Sequence, residues 1–260
     1  MCGQGGIVEP TTDETAPALP PAIEAAWGLR ERASKGPRPG LTLAGIVAAG
    51  VAVADAEGLA AVSMSRVAKE LGAATMALYR YVGAKDELLT LMVDAAYGES
   101  PRASGQGPDW RAALRRWAWA ERAALHRHPW VVRVPISGPP LTPCQLSWME
   151  DGLRCMDDTG LTAGEKMSVM LLVTGYVRNE VLLSVQIQEA SESSGRRPDE
   201  IMPEYARRLA RLADPVRFPA LHAVLASGAI DQDDDPDDEF AFGLDRILDG
   251  VEALVHGRAG

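Results

Sequence analysis

The chain of 260 residues is poor in cysteine, phenylalanine and histidine, with 3, 3 and 4 of them. Cys2, Cys144 and Cys155 stand at no metal-site spacing, which argues against a zinc site and a disulfide framework. Uninterrupted apolar runs of roughly 18 residues are missing, and the opening MCGQGGIVEP has neither the charged start nor the apolar stretch of a signal peptide. A cytoplasmic protein with no membrane partner is expected. Period-two alternation of useful length and internal repeats are also missing, so no sheet is expected. No phosphate loop is present, GQGG does not complete a dinucleotide fingerprint, and no Ser/His/Asp or Cys/His set stands in a recognisable context. Neither an enzyme nor a cofactor or metal is expected. His126 and His128, in HRHPW, lie at i,i+2 on a helix end and do not face each other, which suits helix-end capping better than a shared metal.

A net positive charge is lacking as well. The sum is −10, which at first argues against a nucleic-acid partner, because phosphate neutralisation needs Lys and Arg. The distribution matters more. Between Gly28 and Lys85 the cations Arg30, Arg32, Lys35, Arg38, Arg66, Lys69, Arg80 and Lys85 outnumber the anions Glu31, Asp55, Glu57 and Glu70. Acid is concentrated elsewhere, notably in DQDDDPDDE from Asp231 to Glu239.

What is present is helical periodicity. Residues 1–38 are rich in Gly, Pro and Thr, hold one helix-compatible piece (AIEAAWGLRER), and read as a flexible extension ending in GPRPG. Arg38 between its prolines is a candidate minor-groove arm. From Leu41 onward Leu43, Ile46, Val47, Gly50, Val51 and Ala54 fall on one helix face, with Gly58 as C-terminal stop. Ser63 is an N-cap for a second helix with Val67, Ala68 and Leu71 inward, and Gly72 opens a tight turn. A third helix is predicted over 75–82 and a fourth from about Ala84. Longer helices follow: one capped by Asp109, one entered at Thr142 and Pro143 and ended at Gly160, one opened by a Thr162–Glu165 capping box, two shorter ones, and EFAFGLDRILDGVEALV. The fold class is all-α, with a flexible extension (1–38), a three-helix DNA-binding domain (39–83), and a larger helical domain for ligand binding and dimerisation (84–260).

The DNA-binding reading comes from VAKELGAATMALYRYVGAKDELL. On a helix of about 100° per residue, Leu78 and Val82 share an inward face, while Met76 and Arg80 project oppositely with Ala77 and Tyr79 flanking. Helix, glycine turn, and a short helix with an exposed polar and aromatic face is the layout of a helix-turn-helix. The break at Gly83 lets a new helix start where its N–H groups and Lys85 meet a phosphate. Such a unit binds weakly alone, so a homodimer on a two-half-site duplex is expected.

GLAAVSMSRVAKELGAATMALYRYVGAKDELL resembles the DNA-binding signature of the TetR family of transcriptional regulators, through Gly58, Ser63, Val67, Ala68, Leu71, Gly72, Leu78, Tyr79, Val82, Lys85, Leu88 and Leu89. Trp110, GLTAGEK and the last helix extend the likeness to the branch containing the tetracycline repressor. The resemblance implies a ligand-responsive regulator, most simply a repressor that leaves a palindromic operator on binding a small apolar effector. It assigns Thr75, Met76, Ala77, Tyr79, Arg80 and Tyr81 to the DNA-facing side of the recognition helix. Ser65 and Arg66 fall at the contacting start of the helix before it, and Lys85 on a phosphate. Arg80 suits a bidentate guanine contact, Met76 and Ala77 suit thymine methyls, and Tyr79 suits a phosphate.

In the larger domain Trp117, Glu121, Met149, Met170, Thr174, Tyr176 and Arg178 combine apolar surface with a few polar groups, the composition of a small-molecule pocket. Trp117 stands where the tetracycline repressor has a polar drug-binding residue. Pro135 and Tyr176 stand where it has magnesium-binding histidines, so the resemblance disfavours a magnesium-chelated tetracycline. Arg178, Asn179 and Glu180 interrupt an apolar helix and either reach the ligand or pair across the dimer. Phe240, Leu244, Ile247, Leu248, Val251 and Val255 form an apolar stripe on the last helix, the candidate dimer interface. By the resemblance it would join the long helix after Thr162 in a four-helix dimer bundle. The other reading weighed is a dimeric helical ligand-binding or interaction protein without useful operator affinity, favoured by the acidic net charge.

Overall fold

The computed structural model describes residues 18–29, 41–101, 109–136, 138–195, 198–230 and 235–258. Among them every regular element is a helix. Arg38, Cys2 and the first residues of the acidic run lie outside the described residues.

The N-terminal unit is built from α2 (Leu43–Glu57), α3 (Met64–Glu70) and α4 (Thr75–Leu78). Each start has a local cause. The Thr42 hydroxyl accepts from the Gly45 N–H at 3.0 Å, and Ser63 Oγ accepts from the Arg66 N–H at 3.1 Å, each satisfying a donor left over at a helix start. Gly72 has φ +60, which a side chain rarely tolerates, and the Ala73 N–H reaches back to the Ala68 carbonyl at 2.9 Å, closing the corner.

The recognition element is shorter as regular α-helix than the sequence predicts. α4 ends at Leu78, and residues 79–81 are turn. Tyr81 and Val82 both donate to the Leu78 carbonyl, at 2.8 and 3.0 Å, so the backbone stays coiled to Val82 although the ladder tightens. Four residues cannot hold a helix in water by themselves. Complete burial of Leu78 and near-complete burial of Val82 in the core they share with α2 and α3 hold this one. Leu78→Ala is therefore expected to cost about 2–5 kcal/mol in urea unfolding.

α5 (Lys85–Tyr97) joins this unit to the rest. It packs so closely on α2 that a Cβ on Gly50 would lie 2.7 Å from Met92 Sδ, so any larger residue there would make the Met92 side chain move. The residues before α2 are less loose than predicted. α1 (Pro21–Ala26) buries Ala22 and Ile23, and Trp27 Nε1 donates to the Leu141 carbonyl at 2.7 Å, which corrects the flexible extension for this part of it.

The larger unit holds α6 (Trp110–Arg127), α7 (Pro143–Arg154), α8 (Ala163–Ser194), α9 (Pro198–Leu212), α10 (Pro219–Ser227) and α11 (Pro236–His256). Asp109 Oδ1 caps α6 by accepting from the Ala112 N–H at 3.0 Å. Thr162 and Glu165 make both capping-box bonds at α8. α8 is long and apolar enough to cross a membrane by length and composition, contrary to the expectation from uninterrupted runs. One side of it, Val173, Val177 and Val181, lies in the core with α6 and α11.

α8 and α11 run antiparallel. Arg258 at the end of α11 pairs with Glu165 at the start of α8. At the opposite end Arg122 of α6 holds Glu180 of α8 and Asp237 of α11 together, with contacts of 3.0 and 2.6 Å. This pairing already covers part of the stripe expected at the interface. Phe240, Leu244, Leu248 and Val251 are buried, and Ile247 and Val255 half-buried, within one chain. A helix with one apolar stripe covers that stripe against its own subunit first. The outward side of the pair exposes Leu171 (77%), Leu172, Leu183, Ile187, Phe242 (65%) and Leu254.

Candidate nucleic-acid interface and effector cluster

α3, the Gly72 corner and α4 leave an outer surface of known composition. Met76 is 74% and Tyr79 43% exposed, Arg80 is exposed, and Thr75 and Ala77 are half-buried between them and the core. Tyr81 differs: it packs partly against the hydrophobic core, so its ring belongs more to the underside than to the DNA face. Ser65 is exposed, with its Oγ 3.2 Å from Ser63 Oγ. Lys85 is exposed at the first position of α5, where Ala84 supplies no side-chain cap and the Gly83 N–H donates to Glu87 Oε2 at 2.8 Å.

Arg66 is placed otherwise than expected. Its Nε is 3.0 Å and its Nη2 2.5 Å from Glu57 Oε1, and its Nη1 is 2.8 Å from Glu70 Oε2. Two carboxylates occupy the guanidinium, and its hydrogen bonds, more than its charge, hold Glu57 below the usual carboxylate range. Arg66 ties α3 to the end of α2 instead of presenting an unpaired cation. Arg66→Ala is expected to lower the melting temperature and, in circular dichroism, to leave the helix content nearly unchanged, because α3 keeps its Ser63 cap.

The second site lies where α5, α6, α7 and α8 meet. Glu121 of α6 is only 3% exposed. Burial pushes its carboxyl up to about 7, and the Arg178 charge together with hydrogen bonds from Thr174 and Tyr97 pulls the other way. Thr174 Oγ1 donates to Glu121 Oε2 at 3.4 Å. The Tyr97 hydroxyl is pushed up to about 12 by the same burial and by the nearby Glu121. Around this polar cluster stand edge-packed aromatics. Trp148 lies between Tyr97 and Trp117, with ring centroids 6.0 and 6.1 Å away. Both indoles are anchored: Trp117 Nε1 donates to the Trp148 carbonyl at 3.0 Å, and Trp148 Nε1 to the Gly98 carbonyl at 3.2 Å. Met170 closes against Gly152 so tightly that a Cβ there would lie 2.3 Å from Met170 Cε.

Five of the seven sequence-selected ligand residues thus share one neighbourhood: Trp117, Glu121, Met170, Thr174 and Arg178. Met149 is half-buried on α7, about 100° round the helix from Trp148. Tyr176 is elsewhere. It stacks on Phe240 at 5.4 Å and donates to the Phe240 carbonyl at 3.1 Å. There it lines an open cleft of about 1290 Å³ between α8 and α11, together with Glu180, Leu183, Ile187 and Phe242. Sequence reasoning missed Tyr97 and Trp148, which complete the cluster; the only linear hint was a tyrosine ending the apolar run of α5. It also left Arg178 and Glu180 undivided: Arg178 faces the cluster, and Glu180 is spoken for by Arg122.

Comparison with known proteins gives the same picture at the level of the family. Residues 46–92 match the family model described as bacterial regulatory proteins, tetR family, and residues 101–255 match the tetracyclin repressor-like C-terminal domain. The HTH-type transcriptional repressor DrrR1 of Streptomyces coeruleorubidus is 41% identical over 240 residues, which cover 92% of this chain and 87% of that protein. An HTH-type transcriptional regulator of Saccharopolyspora erythraea is 30% identical over 190 residues, 73% of this chain and 74% of its own length. Among solved structures, apo ActR from Streptomyces coelicolor superposes with a TM-score of 0.70 at 28% identity, covering 86% of this chain and all of its own. ActR in complex with actinorhodin gives 0.69 at 28% identity, with 83% and 97% covered. With its helix-turn-helix, its helical second domain and these relatives, the chain belongs to the TetR family and is a DNA-binding transcriptional regulator.

Proposed function

We propose that two copies of this chain bind a two-half-site operator through the surface formed by Met76, Tyr79 and Arg80, and leave it when a small molecule enters the Glu121 cluster. The exposure of Met76, Tyr79 and Arg80 over a fully buried Leu78 carries this reading: a core helix would have no use for three large exposed side chains within five residues. Lys85 and the start of α5 take an adjacent phosphate. Ser65 stands at the edge of the same face. Arg66 acts by positioning α3.

The effector site is the cluster of Glu121, Thr174, Arg178 and Tyr97 with its indole walls. ActR has been solved with actinorhodin bound, and by likeness this chain takes a small molecule in the corresponding domain. A ligand that binds better in one arrangement of the two subunits shifts the pair toward it by that difference in binding free energy. If the favoured arrangement misplaces the recognition helices, repression is relieved. The protein acts in the cytoplasm, and no catalytic step is assigned to it.

Fluorescence anisotropy against duplexes from both sides of its own gene, at two salt concentrations, tests the reading. Specific binding that weakens with salt is expected; no preference for any duplex over random DNA, in this assay and in selection from a random library, would sink it. The dimer has its own test. The paired outward faces of α8 and α11 carry Leu172, Leu183 and Phe242. Leu172→Arg with Leu183→Arg is expected to give monomers by light scattering, with little loss of monomer stability because both side chains are exposed.

A further inference from the structure

The DNA-binding unit touches the rest of the molecule at more than α5. Besides the Trp27–Leu141 hydrogen bond, one carboxylate oxygen ties α2 itself to the larger unit. Asp55 Oδ1, on α2, accepts from Trp130 Nε1 at 2.7 Å and stands 2.9 Å from His128 Nδ1. His128 is the residue that ends α6, and Trp130 lies in the 3-10 turn Pro129–Arg133 that follows it. Trp130 is buried, and its ring lies 6.1 Å from that of His128. α6 is the helix whose middle carries Glu121.

The α2–α5 core makes the head and α5 one packed body, with Met92 of α5 seated directly on Gly50 of α2. A body held along a single helix can still turn about that helix. An attachment off that axis resists the rotation, and Asp55 supplies one from the far end of α2, 20 residues before Thr75 in the sequence. Fixed geometry there matters because two recognition helices must reach half-sites about one DNA turn apart.

We infer that Asp55, bonded to His128 and Trp130 at the end of the effector helix, is a positioning residue that fixes the orientation of the DNA-binding unit and with it the operator spacing the dimer accepts. Asp55 is not a DNA contact. It acts on affinity through the placement of α4. The inference rests on the operator-binding dimer proposed above.

The test uses the full-length chain and duplexes selected from a random library by the unaltered protein. The spacer between half-sites is then lengthened and shortened by one and two base pairs, and anisotropy is measured for the unaltered protein, Asp55→Ala, Asp55→Asn and Trp130→Phe. The unaltered protein should prefer the selected spacer by about tenfold or more, since a change of two base pairs rotates one half-site by roughly a fifth of a turn. Asp55→Ala should narrow that preference to about threefold or less, a loss small beside the preference for the half-site bases themselves, which stays. Trp130→Phe, which keeps the ring and removes one donor, should act in the same direction, and with Asp55→Asn it carries the test should Asp55→Ala not fold. A merely stabilising bond would lower the melting temperature of these variants and leave the spacer preference as it was; that result overturns the inference. Failure of the unaltered protein to enrich any duplex would instead overturn the operator reading, and this inference with it.

Discussion

Replacing Tyr79 and Arg80 together by alanine is expected to abolish specific operator binding while leaving the fold intact. An arginine in bidentate contact with a base discriminates by about 1–3 kcal/mol, and a symmetric dimer loses the contact twice, about 2–6 kcal/mol in all. That corresponds to roughly 30-fold to more than 10⁴-fold in affinity, before the phosphate contact expected of Tyr79 is counted. Stability should hardly change, because both side chains are exposed and neither belongs to the core. The contrast with Leu78, one residue away and fully buried, makes the experiment decisive. Anisotropy on a selected duplex, paired with urea unfolding of the same preparations, separates a lost contact from a lost fold. A double variant that binds as tightly as the parent would remove Tyr79 and Arg80 from the DNA interface.

The recognition element is legible in the sequence because three local signals agree on it. A good N-cap at Ser63, a positive-φ glycine at Gly72 and two inward residues four apart at Leu78 and Val82 each act over a few residues, and local rules suffice for them. The exact extent of α4 is not legible. Whether residues 79–81 continue as α-helix or tighten into turn depends on how Val82 is drawn into the core, which is a tertiary matter. Arg66 shows the same boundary from another side. Its sequence position fits a DNA contact, but Glu57 lies 9 residues upstream on another helix, and only the corner between α2 and α3 brings the two together.

In the larger domain, periodicity is a better guide than composition. Met170, Thr174 and Arg178 repeat every four residues and meet at one cluster; Tyr176, two residues from Thr174, points to the opposite side and stacks on Phe240. Grouping Tyr176 with the others follows its chemistry and ignores its phase. The last helix gives the reverse lesson. Its apolar stripe is a packed face, as the pattern implies, but sequence does not say whether the partner is the same chain or another copy. The structure gives it to the same chain, with Phe240, Leu244 and Leu248 fully covered, and leaves the outward side to Phe242 and Leu254. Tyr97 and Trp148 escape a linear reading because their contribution exists only where three helices converge.

Glu121 leads to the second large effect, a pH dependence of stability that one substitution should erase. Its carboxyl titrates near 4.5 when exposed and at about 7 in the fold, raised chiefly by burial, with Tyr97, Thr174 and the Arg178 cation as the polar groups around it. Between those values the folded chain holds a proton that the unfolded chain has released, so stability falls as pH rises through this window. Below it both states are protonated and the contribution is fully present; above about 7 it is lost. At about 1.4 kcal/mol for each pH interval of one between the two values, the ionised form costs the fold about 3 kcal/mol relative to the protonated one. Glu121→Gln keeps the shape and cannot ionise. Urea unfolding at intervals from pH 4.5 to 8 should show the parent losing about 3 kcal/mol more than the glutamine variant across that range. Parallel curves would mean that Arg178 pairs with an ionised Glu121 throughout, and the cluster would then be a fixed ion pair instead of a carboxyl poised to change charge when a ligand displaces its partners.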